Sequence, residues 1–158
     1  MINAWENNIR DFIKISVKHK VRMIMVGGGA VNFHGYQRHS ADVDFWLEPV
    51  VENFQRLILV FKEMGYEIDD FPEEVKNKQQ NISIKFSLGI LNIEIITNFS
   101  VNKPFSQALE ESVLVKKDEL QWHVLSFEDL ITSKIKAGRP KDLLDIQELQ
   151  RNRNNLDK

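Results

Sequence analysis

Apolar residues recur at helical spacing in two segments of the first half of the chain. In Ala4–Val17 they fall on one face of a helix, and Val51–Met64 shows the same period. Gly65 follows the second segment directly, and glycine commonly ends a helix. The pattern predicts an amphipathic helix over each segment.

Other segments have the patterns of strands. Met23–Val26 is a short, wholly apolar run with the length of a buried strand, and Val43–Leu47 is a second apolar run. Apolar and polar residues alternate in Ile82–Leu88 and again in Leu91–Ile95, with Gly89 between them. This alternation about a glycine indicates two half-buried strands joined as a hairpin.

Weaker signals predict several short elements. These are a helix at Ala30–His34, the start of a strand followed by a loop at Glu67–Glu74, and short strands at Val113–Val115 and Trp122–Leu125.

The last part of the chain is predicted to be helical. Ser126 with Asp129 three residues later approximates a capping box, so a helix begins after Ser126. It should end near Gly138, and Pro140 suits the first position of the next helix. We expect one domain over residues 1–158, with a C-terminal helical portion at about 126–152. The order of elements predicts an α/β (α+β) domain with a small mixed sheet flanked by helices.

Composition and charge narrow the class of protein. The chain has 158 residues, of which 42% are hydrophobic, enough for a compact core. It contains no cysteine, which excludes disulfides and thiolate metal sites and suits a reducing cytoplasm. We find no signal-peptide pattern and no apolar stretch long enough for a membrane span, so we expect a cytoplasmic protein with no membrane partner. A net charge of −2 disfavours a general nucleic-acid coat protein.

Two aspartates near a glycine cluster carry the candidate chemistry. Asp42 and Asp44 lie two residues apart in a predicted strand, so both side chains leave the same face. Adjacent carboxylates repel each other unless they are solvated or bind cations, and Mg²⁺ prefers such oxygen ligands. Gly27–Gly29 follows another strand, where glycines let the backbone approach a phosphate. Triphosphate beside metal beside paired carboxylates is the arrangement of two-metal phosphoryl chemistry.

Other phosphate-binding motifs do not match. The sequence has no Gly-Lys-Ser/Thr, and its glycines do not have the spacing of a dinucleotide-binding fingerprint. Glycines alone or Asp-Val-Asp alone would be weak evidence, but their order and separation between two strands are specific.

These residues resemble a known family. An apolar residue, two glycines, about ten further residues and Asp-apolar-Asp resemble the signature of the DNA polymerase β-type nucleotidyltransferase superfamily. The match is closer to small bacterial minimal nucleotidyltransferases related to abortive-infection toxin enzymes. Its motif reads Gly27-Gly28-x-Ala30…His34-Gly35…Arg38…Asp42-x-Asp44, then Leu130…Lys134…Ala137-Gly138-Arg139…Asp142…Asp145, and it covers roughly residues 20–150.

The resemblance implies roles for the glycines and the acids. Gly27 and Gly28 would hold the triphosphate, and Asp42 and Asp44 would bind metal. The superfamily also has a third carboxylate on a later strand, which completes the metal site and accepts the proton of the attacking hydroxyl. Glu94 is the acid in that setting, although many relatives have aspartate there; the alternative is an exposed glutamate on the sheet.

Three basic residues complete the predicted site. Lys134 lies on the apolar face of its helix, where it either extends outward or points into a site. The family motif favours a role for Lys134 beside phosphate. Arg38 could bind substrate or pair with a site carboxylate. Arg139, with Lys141, could hold phosphate or an acceptor, or could be merely solvated. We also expect His34 to be a packed residue.

The leading hypothesis is a nucleotidyltransferase that uses two Mg²⁺ ions to move an NMP group from an NTP to a hydroxyl, releasing pyrophosphate. The acceptor could be a tRNA, a protein or a small molecule such as an antibiotic. The alternative is a catalytically idle module of the same fold that binds a nucleotide or a partner. A toxin–antitoxin partner is possible by analogy with relatives, and the oligomeric state stays open.

Overall fold

The computed structural model of the chain describes residues 7–37, 42–86 and 92–156. Six strands form one mixed sheet. They are β1 (Met23–Val26), β2 (Asp42–Leu47), β3 (Ile82–Ile84), β4 (Asn92–Ile96), β5 (Val113–Lys117) and β6 (Leu120–Val124). The helices are α1 (Asn7–Lys18), α2 (Gly27–Phe33), α3 (Val51–Glu63), α4 (Glu73–Lys76), α5 (Phe105–Glu111), α6 (Phe127–Ala137) and α7 (Pro140–Leu156).

The sheet has the order β3-β4-β2-β1-β6-β5, so the first two strands in sequence lie at its centre. Strand β1 runs antiparallel to β2 and parallel to β6, whereas β2 runs parallel to β4. All residues of β1 are buried, which requires cover on both faces of the sheet at this point. The predicted α/β class with a mixed sheet is therefore confirmed.

Helices α1 and α3 pack their apolar faces into the core, as their periodicity predicts. Ile9, Phe12 and Ile13 of α1 are fully buried, and the Phe12 ring lies 6.0 Å from that of Phe45 on β2. Strands β3 and β4 form the predicted antiparallel pair, with Ile84 opposite Ile93. The predicted turn at Gly89 lies outside the described residues.

Two predictions of local structure are wrong, and one helix was not predicted. The helix after β1 begins at Gly27 and not at Ala30, because the glycines themselves form its first turn. The segment Glu67–Glu74 contains no strand; it is a loop that leads into α4, and its acids are exposed. Helix α5 is too short to show a distinctive apolar period. It depends on packing against the core, where its Phe105 and Ala108 are buried.

The C-terminal helices begin and end as their capping residues predict. The Asp129 backbone N–H donates to Ser126 Oγ at 3.1 Å, which caps α6. Gly138 ends α6 in the left-handed conformation, with φ of 64°. Helix α7 begins at Pro140 and continues to Leu156. Across the described ranges, no helix combines the length and apolarity that crossing a membrane requires.

Candidate active site

The sharp corner between β1 and α2 brings the glycine backbone against a carboxylate. Val26 lies opposite Asp44 in the β1–β2 register, so the next residue, Gly27, begins α2 beside that side chain. Gly27 has a φ of 60°, and a Cβ atom there would stand 2.2 Å from Asp44 Oδ2. Both the left-handed backbone and the close approach require glycine at this position.

The acidic residues stand on adjacent strands. Asp42 and Asp44 share one face of β2, and Glu94 on β4 lies opposite Asp44 in the parallel register. Burial raises the pKa of Asp44 to about 6, and the charges of Asp42 and Glu94 add to this effect. Lys134 and Lys141 act in the opposite direction and lower that pKa. The strands therefore concentrate negative charge at Asp44.

Glu94 has a hydrogen-bond partner of its own. Ser83 Oγ on β3 donates to Glu94 Oε2 at 2.5 Å. Within the described ranges, no three acidic or histidine side chains are grouped closely enough to hold a metal together. The structure thus brings Glu94 next to the two aspartates but turns one of its oxygens toward Ser83.

The aspartates suit a divalent cation. They offer hard oxygen atoms, which are the ligands that Mg²⁺ takes in proteins. The raised pKa of Asp44 shows that its negative charge is poorly compensated by the protein alone. A cation bound between Asp42 and Asp44 would remove this penalty, so the donor set fits the ion that the sequence predicts.

Across the cleft, the corner between α6 and α7 is held by a buried ion network. Lys134 Nζ lies 3.2 Å from Asp142 Oδ1 and 3.0 Å from Asp145 Oδ2, and all three side chains are buried. Arg139 Nε donates to Asp142 Oδ2 at 2.6 Å. Asp142 and Asp145, which the motif includes, thus brace the C-terminal helices by pairing with Lys134 and Arg139. Lys134 points inward, which excludes the interpretation in which it extends into solvent.

One cleft of about 660 Å³ joins the glycine corner to this network. The predicted site residues that line it are Gly27, Gly28, Asp42, Asp44, Lys134 and Arg139. Glu94, opposite Asp44 on β4, is not among the residues that line the cleft, and Arg38 lies outside the described residues. His34 is packed as expected, with Nε2 2.7 Å from the carbonyl oxygen of Leu125.

Sequence reasoning missed one wall of the cleft. This wall follows β4 and the end of α6, and its members are Ile96, Asn98, Phe99, Ser100, Ser133 and Lys136. Their spacing in sequence matches no motif. The only local signal is an aromatic residue between polar ones directly after a predicted strand.

The fold and the cleft together define a transferase of the nucleotidyltransferase type. A family model described as "Nucleotidyltransferase of unknown function (DUF6036)" matches residues 7–157. The chain therefore belongs to this family. This match supports the nucleotidyltransferase class alone, so the predicted relation to abortive-infection toxin enzymes stays a prediction.

A solved structure has the same fold. It is the crystal structure of ANT(2″)-Ia in complex with adenylyl-2″-tobramycin, with a TM-score of 0.53 and 11% sequence identity. The similarity covers 94% of this chain and 88% of that chain. No curated protein matches the sequence.

Proposed function

We propose that the protein transfers an NMP group from an NTP to an acceptor hydroxyl, releases pyrophosphate, and uses two Mg²⁺ ions. The observation that supports this most directly is the position of Asp42 and Asp44 in one cleft with the Gly27 corner. When bound, the ions supply positive charge and orient the triphosphate for in-line attack at the α-phosphorus. Asp42 and Asp44 would hold them, and Glu94 would complete the set from the neighbouring strand.

The glycine corner binds the phosphates through its backbone. Helix α2 has no side-chain cap, so no capping side chain competes with a phosphate for its first N–H groups. Gly27 and Gly28 line this part of the cleft. Their lack of a side chain lets phosphate oxygens come within hydrogen-bond distance of the backbone.

In this proposal Glu94 accepts the proton of the attacking hydroxyl. The attacking hydroxyl loses its proton as the new P–O bond forms, and a carboxylate beside Asp44 can accept it. The hydrogen bond from Ser83 fixes the orientation of Glu94. Arg38, which lies between α2 and β2 in the sequence, binds substrate in this proposal.

Positive charge on the other side of the cleft faces the leaving pyrophosphate. Lys134 is held by Asp142 and Asp145, and Arg139 is held by Asp142. These ion pairs place both cations at the cleft wall before substrate arrives, so little reorganisation is needed as charge develops. Lys141, at the start of α7, adds an exposed charge.

We propose that the acceptor is a hydroxyl of a small molecule, a tRNA or a protein. The cleft is open and large enough for an NTP together with part of an acceptor. The neighbour of similar fold is described in complex with a nucleotidylated aminoglycoside, which makes a small-molecule acceptor worth testing first. A toxin–antitoxin partner and a cytoplasmic location remain part of the proposal.

Transfer of label tests the reaction directly. Each of four α-³²P-labelled NTPs is incubated with the protein and Mg²⁺, with an aminoglycoside, total tRNA or lysate protein as acceptor. We expect labelled product with wild type and none with Asp42→Ala/Asp44→Ala. Asp69→Ala, which removes an exposed acid outside the cleft, is the matched control and should keep full activity.

Two negative results have different meanings. Binding of Mg²⁺-NTP without any transfer would favour the alternative of a nucleotide-binding module or an acceptor of another class. Failure to bind Mg²⁺-NTP at all would refute the proposed site.

A further inference from the structure

The cleft has an aromatic end that the proposed reaction does not use. Phe99 lines it, half-buried, and packs against Trp46 with ring centroids 5.0 Å apart. Trp46 in turn packs edge-on against Phe105 at 4.9 Å. The Phe99 ring therefore packs on Trp46, which Phe105 holds in turn, while it borders the open cleft.

The segment that carries Phe99 is anchored at both ends. Thr97 is buried; its N–H donates to Asn81 Oδ1 and its hydroxyl to the carbonyl oxygen of Gln80, both at 3.1 Å. Val101 is also buried. Held in this way, residues 98–100 form a fixed wall, and a fixed aromatic ring loses little conformational entropy when a ligand stacks on it.

The aromatic end lies about one nucleoside away from the metal-binding end. Asp44 and Trp46 point to the same face of β2, two residues apart, which corresponds to about 6.6 Å along the strand. Phe99 packs against Trp46, so its ring stands on the order of 10 Å from the Asp44 carboxylate. A ribose and a base extending from an α-phosphate at Asp44 would bridge this separation.

The charges of the cleft fix the direction in which a nucleotide would lie. Arg139 and Lys141 stand at the α6–α7 corner, where they suit phosphate. At the aromatic end, Asn98 presents an exposed amide that can both donate and accept. Lys136 Nζ donates there to Ser100 Oγ at 2.9 Å and Asn102 Oδ1 at 2.7 Å. The Lys136 charge is thus engaged by two neutral oxygens, and the Phe99 ring beside the neutral Asn98 amide suits a nucleobase better than a triphosphate.

We propose that Phe99 is the stacking platform for the base of the donor NTP, and that Asn98 hydrogen-bonds the edge of that base and sets the preference among NTPs. This inference rests on the proposed nucleotidyltransferase reaction and adds to it the residues that select the nucleotide. Stacking on an aromatic side chain tolerates any base, so the preference comes from the Asn98 amide.

Equilibrium binding separates the base from the phosphates. Calorimetry measures the affinity of wild type and Phe99→Leu for each Mg²⁺-NTP and for Mg²⁺-tripolyphosphate, which has no base. We expect Phe99→Leu to weaken NTP binding by about 5- to 150-fold, the range for loss of one stacked base, and to leave tripolyphosphate binding unchanged. Phe99→Trp, which keeps an aromatic ring, should bind NTP at least as well as wild type.

Two further variants make the test specific. Asn98→Ala removes an exposed side chain and should reduce the spread of affinities among the four NTPs. Tyr66→Leu is the matched control, because Tyr66 is a partly exposed ring that packs on Phe61 at 5.8 Å outside the cleft. It should change no affinity.

The other outcomes overturn the inference. Unchanged NTP affinity in Phe99→Leu with a raised KM for the acceptor would assign the aromatic wall to the acceptor. An equal loss of NTP and tripolyphosphate binding would show that Phe99 only supports the fold of the cleft. If wild type bound tripolyphosphate but no NTP, the platform would be refuted while the phosphate site survived. If it bound neither, the proposed function would fail as well.

Discussion

At the scale of single residues, the candidate site depends on one close approach between a backbone and a carboxylate. Gly27 adopts a left-handed conformation beside Asp44. The pKa of Asp44 is raised by its burial and by the nearby charges of Asp42 and Glu94. Glycine adopts this conformation without steric cost, whereas the poorly compensated charge of Asp44 does not favour stability. Charge of this kind is typical of functional sites, where binding of a cation relieves it.

Replacing Gly27 by alanine should therefore harm both stability and binding. A non-glycine residue in the left-handed region costs about 1–2 kcal/mol, and the clash of its Cβ with Asp44 adds to that cost. Gly65→Ala is the matched control, since Gly65 has a φ of 98° but nothing within 4 Å of its Cβ position. Urea unfolding should show a larger loss for Gly27→Ala, and only this variant should lose affinity for Mg²⁺-NTP. Equal behaviour of the two variants would contradict the close approach.

Asp44→Asn should stabilise the protein in EDTA. An acid whose pKa is raised on folding, here from 3.8 to about 6, destabilises the folded state above the higher value and has no effect below the lower one. Removing its charge should raise the free energy of unfolding above pH 6 by about 1–2 kcal/mol, after allowance for solvent screening.

The measurement is urea unfolding of wild type and variant in EDTA, above and below that pKa. The gain should shrink as the pH falls from about 6 toward 4, because Asp44 takes up a proton in the folded wild-type protein and so loses its destabilising charge. Asp69→Asn, at an exposed acid, should give no such pH-dependent gain. A loss of stability in Asp44→Asn at neutral pH would show that the Asp44 charge is already well compensated.

At the scale of elements, the α6–α7 corner gives the cleft its second wall. Gly138 turns the chain, and Lys134 on α6 joins Asp142 and Asp145 on α7. Burial of an ion pair costs solvation, and the network is favourable only while each charge has its partner. The packing of the two helices and the position of the cationic wall are thus coupled.

Lys134→Met should destabilise this corner strongly. It removes the Lys134 cation from Asp145 and leaves Asp142 with Arg139 alone, and breaking a buried ion pair in this way costs about 3–5 kcal/mol. Lys62→Met, at an exposed position of α3, is the matched control and should change the free energy of unfolding by less than about 0.5 kcal/mol. Urea unfolding of both variants measures the difference. Similar small effects would show that Lys134 is not part of the buried network.

At the scale of the whole molecule, the cleft joins the sheet to the C-terminal helices. Its glycines come from α2, and Asp42 and Asp44 come from β2, whereas its cations come from α6, the turn before α7 and the first turn of α7. A ligand that contacts both sides binds only the folded protein. Binding should therefore stabilise the whole chain by mass action.

Mg²⁺-NTP should raise the melting temperature. At a ligand concentration of 100 Kd the expected stabilisation is about 2.7 kcal/mol, which corresponds to about 5–10 °C for a domain of this size. EDTA should remove most of the shift, and Asp42→Ala/Asp44→Ala should show none. A shift of equal size in the double variant would place the nucleotide elsewhere.

The sequence alone determined most of the helices and strands and the candidate metal-binding and phosphate-binding residues of the site. Periodicity and capping residues are local properties, so they identified α1, α3, α6, α7 and the strands. The motif around Asp42 and Asp44 identified the candidate ligands, and the family match supports that class of enzyme. Local signals failed at Glu67–Glu74, where acidic residues face solvent, and at α5, which depends on tertiary burial.

Only the tertiary structure decided which residues meet. The parallel pairing of β2 with β4 places Glu94 beside Asp44, and the hydrogen bond from Ser83 is set by the β3–β4 register. The packing of α7 against α6 holds Lys134 inward, and the contact with Trp46 of β2 holds Phe99 at the far end of the cleft. These contacts join residues distant in sequence. Their geometry depends on strand order and helix packing, which no local pattern encodes.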